Sequence, residues 1–384
     1  MRVLKLEFEL EDNPKSTMSN NCKPTPLSGG AGEGHDEAVM LLLGKKDVNP
    51  NITDRDGRTP LSWAANYGRY EVVKLLLQRK EVNPDIQDND GQTPLLWASR
   101  NRHDEVAMLL LGRKDVNPNI TDRDGRTPLS WAAKYGRYGV VKLLLGRKDV
   151  NPNMQDNDGQ TPLLWATMKG RDKVMELLLE RDDVNPNISD RDGRTPLSWA
   201  ASTGHDGVVK LLLARKDVNL NIQDNDGQTP LSHASELGHE EVVKLLLRFQ
   251  NVKPNIADNG GRTPLLSAAE AGHHSVAQLL LEREDANPNM ADCIGKTPLS
   301  WASELGHEEV VRLLLRSQNV NPNIFDNIGR TPLSRAASSG KDEVVRLLLG
   351  RKDVDPNIPD NGGQTPLSLA SKSGHLEVVG LLLR

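Results

Sequence analysis

The sequence is poor in aromatic residues and cysteine, and it has no long apolar run. Aromatic side chains make up 3% of the 384 residues, too few for a large core built on rings. Cys22 and Cys293 are its only cysteines, which excludes a disulfide framework. No stretch approaches the roughly 20 apolar residues of a transmembrane helix. The opening Met1-Arg2-Val3-Leu4-Lys5-Leu6-Glu7-Phe8-Glu9-Leu10-Glu11 is too acidic and interrupted for a secretory signal. The net charge of -5 is small, and cations are interspersed with anions. Composition therefore offers no electrostatic handle for nucleic acid or a membrane. A cytoplasmic protein is expected, with the nucleus as the alternative and secretion excluded. Asn51-Ile52-Thr53, Asn119-Ile120-Thr121 and Asn187-Ile188-Ser189 fit the glycosylation acceptor. Without an export signal they read as by-products of repetition.

Repetition is what the chain has in abundance. Asp54-Arg55-Asp56-Gly57-Arg58-Thr59-Pro60-Leu61 returns with small changes every 34 residues, from Asp88, Asp122, Asp156, Asp190, Asp224, Asp258, Asp292, Asp326 and Asp360. A weaker copy surrounds Thr25-Pro26-Leu27. Such a period specifies a mainly α repeat solenoid, in which each unit buries its apolar face against its neighbours.

Within the copy that starts at Asp54, residues 54–57 read as the tip of a hairpin or turn, with Gly57 supplying a permissive backbone. Thr59 suits a helix N-cap and Pro60 the first helical position. Leu61, Trp63, Ala64 and Ala65 form a short first helix that Gly68 ends. A second helix over about 71–78 presents Val72, Val73, Leu75, Leu76 and Leu77. That density predicts burial on two sides, as in an inner helix. Neither helix is long enough to stand alone.

Asp-x-x-Gly-x-Thr-Pro-Leu, then Ala-Ala or Ala-Ser, then Gly-x-x-x-Val-x-x-Leu-Leu-Leu and Asp-Val-Asn closely resembles the ankyrin repeat. The resemblance covers about residues 20–384 and is especially similar to the long arrays of filamentous-fungal proteins. It implies stacked helix-turn-helix units with short connectors. An extension over 1–19, a degenerate first repeat over 20–53, nine regular repeats over 54–359 and a truncated last repeat over 360–384 are expected. The period is one residue longer than usual, and the extra residue falls in the connector Gln78-Arg79-Lys80-Glu81-Val82-Asn83-Pro84-Asp85. The histidine usual after Thr-Pro-Leu is Ser62, Leu96, Ser130, Leu164, Ser198 or Ser232 here. Gly29, Gly30 and Gly32 weaken the first copy. Leu381-Leu382-Leu383-Arg384 stops inside an apolar helix, as expected of a fragment or of an end covered by another chain.

Apparent chemical constellations dissolve in this register. His35, His103, His205, His239, His273, His307 and His375 share one repeat position with Arg69, Arg137, Arg171 and Lys341. Neighbouring copies lie on the order of 10 Å apart, too far to share a zinc bonded at about 2 Å. Trp63, Trp97, Trp131, Trp165, Trp199 and Trp301 read as packing of the first helices, and Asp54, Asp88 and Asp122 as turn acceptors. No phosphate loop, zinc-binding pattern or nucleophile elbow is present. No enzymatic activity, cofactor or metal is expected.

In the ankyrin family, partners engage the concave face of tips and first helices. The resemblance places Arg55, Arg58, Arg123, Arg126, Arg191 and Arg194 on alternate tips, through a duplicated 68-residue double unit. Tyr67, Arg100 and Tyr135 follow at first-helix ends, then Leu237 and Leu305 beside Glu236, Glu270 and Glu304. Ile294 and Ile328 occupy later tips. A basic, aromatic first half thus precedes a more acidic, apolar middle. Tyr and Arg are favoured interface anchors. The leading expectation is a scaffold for a protein partner. The alternatives are a spacer or sensing segment joined to further domains of the same polypeptide, and a nucleic-acid binder. The last would need a continuous basic stripe, which the aspartates and glutamates interrupt.

Overall fold

The computed structural model describes residues 25–384. The expected extension over 1–19, the start of the degenerate first repeat and Cys22 lie outside them. Among the described residues the regular elements are all α-helices, paired short with short. The fold is a mainly α tandem-repeat solenoid. By packing, the described residues separate into two compact units, 25–128 and 129–384. A repeat array has no single centre, because each copy packs only on its neighbours.

The first unit stacks α1 (Pro26–Glu33), α3 (Pro60–Asn66) and α5 (Pro94–Asn101) in one row, and α2 (Asp36–Leu43), α4 (Tyr70–Leu77) and α6 (Asp104–Leu111) in a second. The second unit, taken by itself, has the same pairing of short helices, from α7 (Pro128–Tyr135) to α22 (Leu376–Leu382). The Thr59 hydroxyl caps α3 by accepting from Ser62 N at 3.1 Å, with Pro60 at the first position. The glycine-rich segment still forms α1, capped by Thr25.

Burial reverses the expected roles of the two helices. Every residue of α3 is buried, whereas α4 buries only Val72, Val73 and Leu76. Leu75 and Leu77 are half-buried, and Glu71 and Lys74 are exposed. The first helix is the inner one, because its small alanines let neighbouring backbones approach. The leucine-rich second helix covers it from one side.

Several sets of bonds join successive copies. At the tips, Asn89 N donates to Asp56 O at 2.8 Å. A Cβ on Gly57, at φ +77, would lie 2.9 Å from that same nitrogen, so glycine is required there. At the start of the second helix, His103 Nε2–H donates to Asn66 O at 3.0 Å, and His239, His273, His307 and His375 reach back in the same way at 3.0–3.2 Å. Arg69 Nε does this to Gly32 O at 2.9 Å, which explains why arginine alternates with histidine. In the connectors, Asn51 Nδ2 donates to Glu81 O (2.7 Å) while its Oδ1 accepts from Asn83 N (2.9 Å).

Candidate functional site

Each tip is organised by its aspartate. Asp54 Oδ1 accepts from Asp56 N and Arg58 N, both at 2.9 Å, which closes the turn. Its Oδ2 accepts from the Trp63 indole at 2.8 Å. The same indole–carboxylate bond joins Trp97 to Asp88, Trp165 to Asp156, Trp199 to Asp190 and Trp301 to Asp292, at 2.7–2.9 Å. Where tryptophan is missing another donor replaces it. His233 Nε2 lies 2.7 Å from Asp224 Oδ2, Arg335 Nε donates to Asp326 Oδ2 at 2.6 Å, and Arg262 Nε donates to Asp258 Oδ2 at 2.9 Å. Burial pushes the Asp88 carboxyl above its usual range, against hydrogen bonds from Gln92 and Trp97. Burial pushes Asp224 the same way, but the His233 bond, the Gln228 amide and the charges of His233 and Arg194 outweigh it. Its carboxyl is held below the ordinary value.

The arginines expected at the tips divide into two groups. Arg55, Arg123 and Arg191 are exposed, with 71% of the Arg191 side chain open to solvent. Arg58, Arg126 and Arg194 are mostly covered, at 16–19%. Arg58 sits between the rings of Trp63 (4.9 Å) and Trp97 (5.2 Å) and faces Asp88 at 3.8 Å. Arg194 repeats this with Trp199 and Asp224. In the intervening copies Gln92 donates to Asp122 and Gln160 to Asp190, so this position ties one copy to the next. Tyr67 and Tyr135 are half-buried and stacked on Trp63 and Trp131, with centroids 5.8 and 5.6 Å apart. Arg100 lies over Trp97, and Lys134 lies over both Trp131 and Trp165.

Later in the second unit the tips lose their charge. Arg191-Asp192 gives way to Asn259-Gly260, Cys293-Ile294 and Asn327-Ile328. Leu237, Ile294, Leu305 and Ile328 are 42–48% exposed. Phe325, at 64%, is the residue that reading the sequence missed. The signal was its register, since equivalent positions hold Thr53, Gln87, Thr121 and Ala257. The three glutamates are answered from within the unit. Glu236 accepts from Gln228 at 2.6 Å, Glu270 faces Arg262 at 3.7 Å, and Glu304 pairs with Lys296 and Arg335. Burial pushes the Glu270 carboxyl up, Arg262 opposes this, and Glu236 and Asp292 add to it.

The paired helices, aspartate-centred tips and register agree with what comparison finds. The family profile described as Ankyrin repeats (3 copies) matches in overlapping windows, the first over residues 6–87 and the last over 318–384. The chain belongs to the ankyrin repeat family. No curated protein matches it. Ankyrin-repeat proteins are typically non-catalytic, and among the described residues no group of three or more His, Cys, Asp or Glu is placed to hold a metal. No described helix is long and apolar enough to cross a membrane.

This ankyrin array departs from the family pattern at two positions whose structural consequences are clear. The usual histidine after Thr-Pro-Leu is replaced by Ser62, whose hydroxyl lies 2.9 Å from Thr59 Oγ1 and joins the cap. The longer connector holds an Arg-x-Asp element. Arg215 donates to Leu179 O (2.9 Å), Arg181 O (3.0 Å) and Val184 O (3.1 Å) of the preceding ankyrin repeat while Asp217 grips its other edge. The sequon residues Asn51 and Asn187 both spend their side-chain amides within the connector ladder.

Proposed function

We propose that this chain is a protein–protein interaction scaffold that engages its partner through the turn tips and the exposed ends of the first helices. One observation carries the reading. Most residues that hold copies together recur, whereas the solvent-facing tip pair alternates Arg-Asp with Asn-Asp only as far as Asn225-Asp226 and then becomes Asn-Gly, Cys-Ile and Asn-Ile. The tips of the first unit offer Arg55 and Arg123 beside the stacked Trp63–Tyr67 pair, and the first copies of the second unit offer Arg191 and the stacked Trp131–Tyr135 pair. Later copies of the second unit offer Leu237, Ile294, Leu305 and Ile328. Rigid aromatics and guanidinium groups suit protein recognition, and the change of tip chemistry within the second unit supplies register. The partner is a protein rather than nucleic acid or a membrane, and the setting is the cytosol or nucleus.

The second reading, a spacer or sensing segment of a larger polypeptide, follows from the near identity of the early copies and the likeness to long fungal arrays. Affinity capture from the source extract separates the two. Three baits are compared: the native chain, a variant with Arg55, Arg123 and Arg191 changed to alanine, and one with Leu237, Ile294, Leu305 and Ile328 changed to serine. The scaffold reading expects a saturable partner lost with one variant while far-ultraviolet circular dichroism stays native. Equal capture by all three overturns the assigned face, and no capture favours the spacer.

A further inference from the structure

The Arg-x-Asp element is absent from two internal joints of the second unit. Arg181, Arg215, Arg283 and Arg351 each donate to three main-chain carbonyls of the preceding repeat. For Arg181, Arg215 and Arg283 the first of those carbonyls belongs to the last residue of a second helix, Leu179 for Arg215, and for Arg351 to the last but one, Leu315. The guanidinium therefore satisfies an acceptor that a helix end leaves open. Its paired aspartate, Asp183, Asp217, Asp285 or Asp353, fixes the fork from the other side.

Phe249 and Ser317 stand at the arginine position of their copies, and Asn251 and Asn319 at the aspartate position. Both halves of the clamp are lost together. Among the described residues, no side chain then donates to the carbonyls of Leu213, Arg215 and Val218, or to those of Leu281, Arg283 and Ala286. The rest of each joint persists. Asn221 Nδ2 still donates to Asn251 O (2.8 Å), His239 to Ser202 O (3.2 Å) and Asn225 N to Asp192 O (2.9 Å). At the other joint, Asn289 Nδ2 donates to Asn319 O (2.6 Å), His307 to Glu270 O (3.0 Å) and Cys293 N to Gly260 O (2.9 Å). The helix that ends beside Ser317 also runs one residue further, to Arg316, and its cap is extended at φ -77, ψ 124. The cap at Ala214 is helical, at φ -69, ψ -21.

We propose that residues 224–291 form a two-repeat block, clamped internally by Arg283, that hinges at both ends by opening along the second-helix edge. The tips stay tied during this motion because their bonds are complete at both joints. The edge opens because three carbonyls there gain no charged donor in exchange for water. The block carries Glu236, Leu237 and Glu270. If the contact face proposed above is correct, the hinge adjusts that part of it, but the hinge itself does not depend on that reading.

Amide hydrogen exchange tests it, since local opening appears as faster exchange in the segment that opens. In the native chain, connectors 214–220 and 282–288 should exchange on the order of tenfold faster than 180–186, 248–254 and 316–322, which receive clamps. Installing the clamp with Phe249→Arg and Asn251→Asp should slow 214–220 alone. Ser317→Arg with Asn319→Asp should slow 282–288 alone. Arg215→Ala, which removes a clamp and adds no bulk, should bring 180–186 up to the fast rate. Equal rates in all five native connectors overturn the proposal. So does an unchanged 180–186 in the Arg215→Ala chain, even if the clamp-adding variants fail to fold.

Discussion

At the scale of the residue, one tip aspartate in each copy from Asp54 onward does the organising, buried in all of them but Asp54 and Asp292. Oδ1 closes the turn and Oδ2 takes a donor from the first helix, so the same aspartate orients the tip and anchors the tryptophan. The turn role was legible from Asp-x-x-Gly, because a glycine at φ > 0 and a side-chain acceptor define such turns. The partner of Oδ2 was not, because it lies one face away on the helix, although register alone shows His233, Ser267, Arg335 and Leu369 standing where six other copies have tryptophan. The histidine makes stability depend on pH at one copy. Because the folded Asp224 carboxyl sits below its ordinary value of 3.8, its contribution is present above that value and lost as pH falls through the lowered one. Asp224→Asn should therefore lower the urea midpoint at neutral pH, and the gap from the native chain should narrow in acid. Glu270 behaves in the opposite sense. Its carboxyl is raised above 4.5, so its charge costs stability at neutral pH and protonation relieves the cost. Glu270→Gln should raise the melting temperature at pH ~7, with the gain vanishing as pH falls toward that ordinary value.

At the scale of the element, the helix pairs follow from capping and punctuation. Thr-Pro starts each regular first helix and a glycine or its equivalent ends it, which is why these boundaries were readable. Relative depth was not readable in the same way. Apolar content pointed to the second helix, but depth is set by which backbone can approach closely, and that favours the alanines of the first. The weak first copy shows the same logic. A Cβ on Gly32 would meet Trp63 at 3.6 Å and Tyr67 at 3.8 Å, ordinary contact distances within a formed helix. Gly32→Ala should accordingly stabilise the chain by about 0.5–1 kcal/mol, through lost freedom of the unfolded chain. Urea denaturation of the two proteins measures it, and a lower midpoint in the variant would show that the site is overpacked.

At the scale of the whole molecule, the chain combines a small net charge with arginines several of which are engaged within the array. Arg58 and Arg194 face aspartates of the next copy, and Arg181, Arg215, Arg283 and Arg351 grip main-chain carbonyls and a neighbouring aspartate. Phosphate binding needs guanidinium groups free to displace counterions along a continuous stripe. The array should therefore show no salt-dependent affinity for mixed-sequence duplex DNA, as filter binding at physiological and lower salt would reveal. By itself the sequence determined the period, the family, the paired helices and the turn chemistry, because each depends on contacts within about one 34-residue copy. Tertiary structure decided the rest. Partners separated by 30 to 37 residues, such as Arg215 with Leu179 or His103 with Asn66, meet only when copies stack. Stacking also decides which tip arginines face solvent and which are drawn between tryptophans. Charge and side-chain length are the same for Arg55 and Arg58, and what differs is whether the next copy's Asp88 and Trp97 lie within reach.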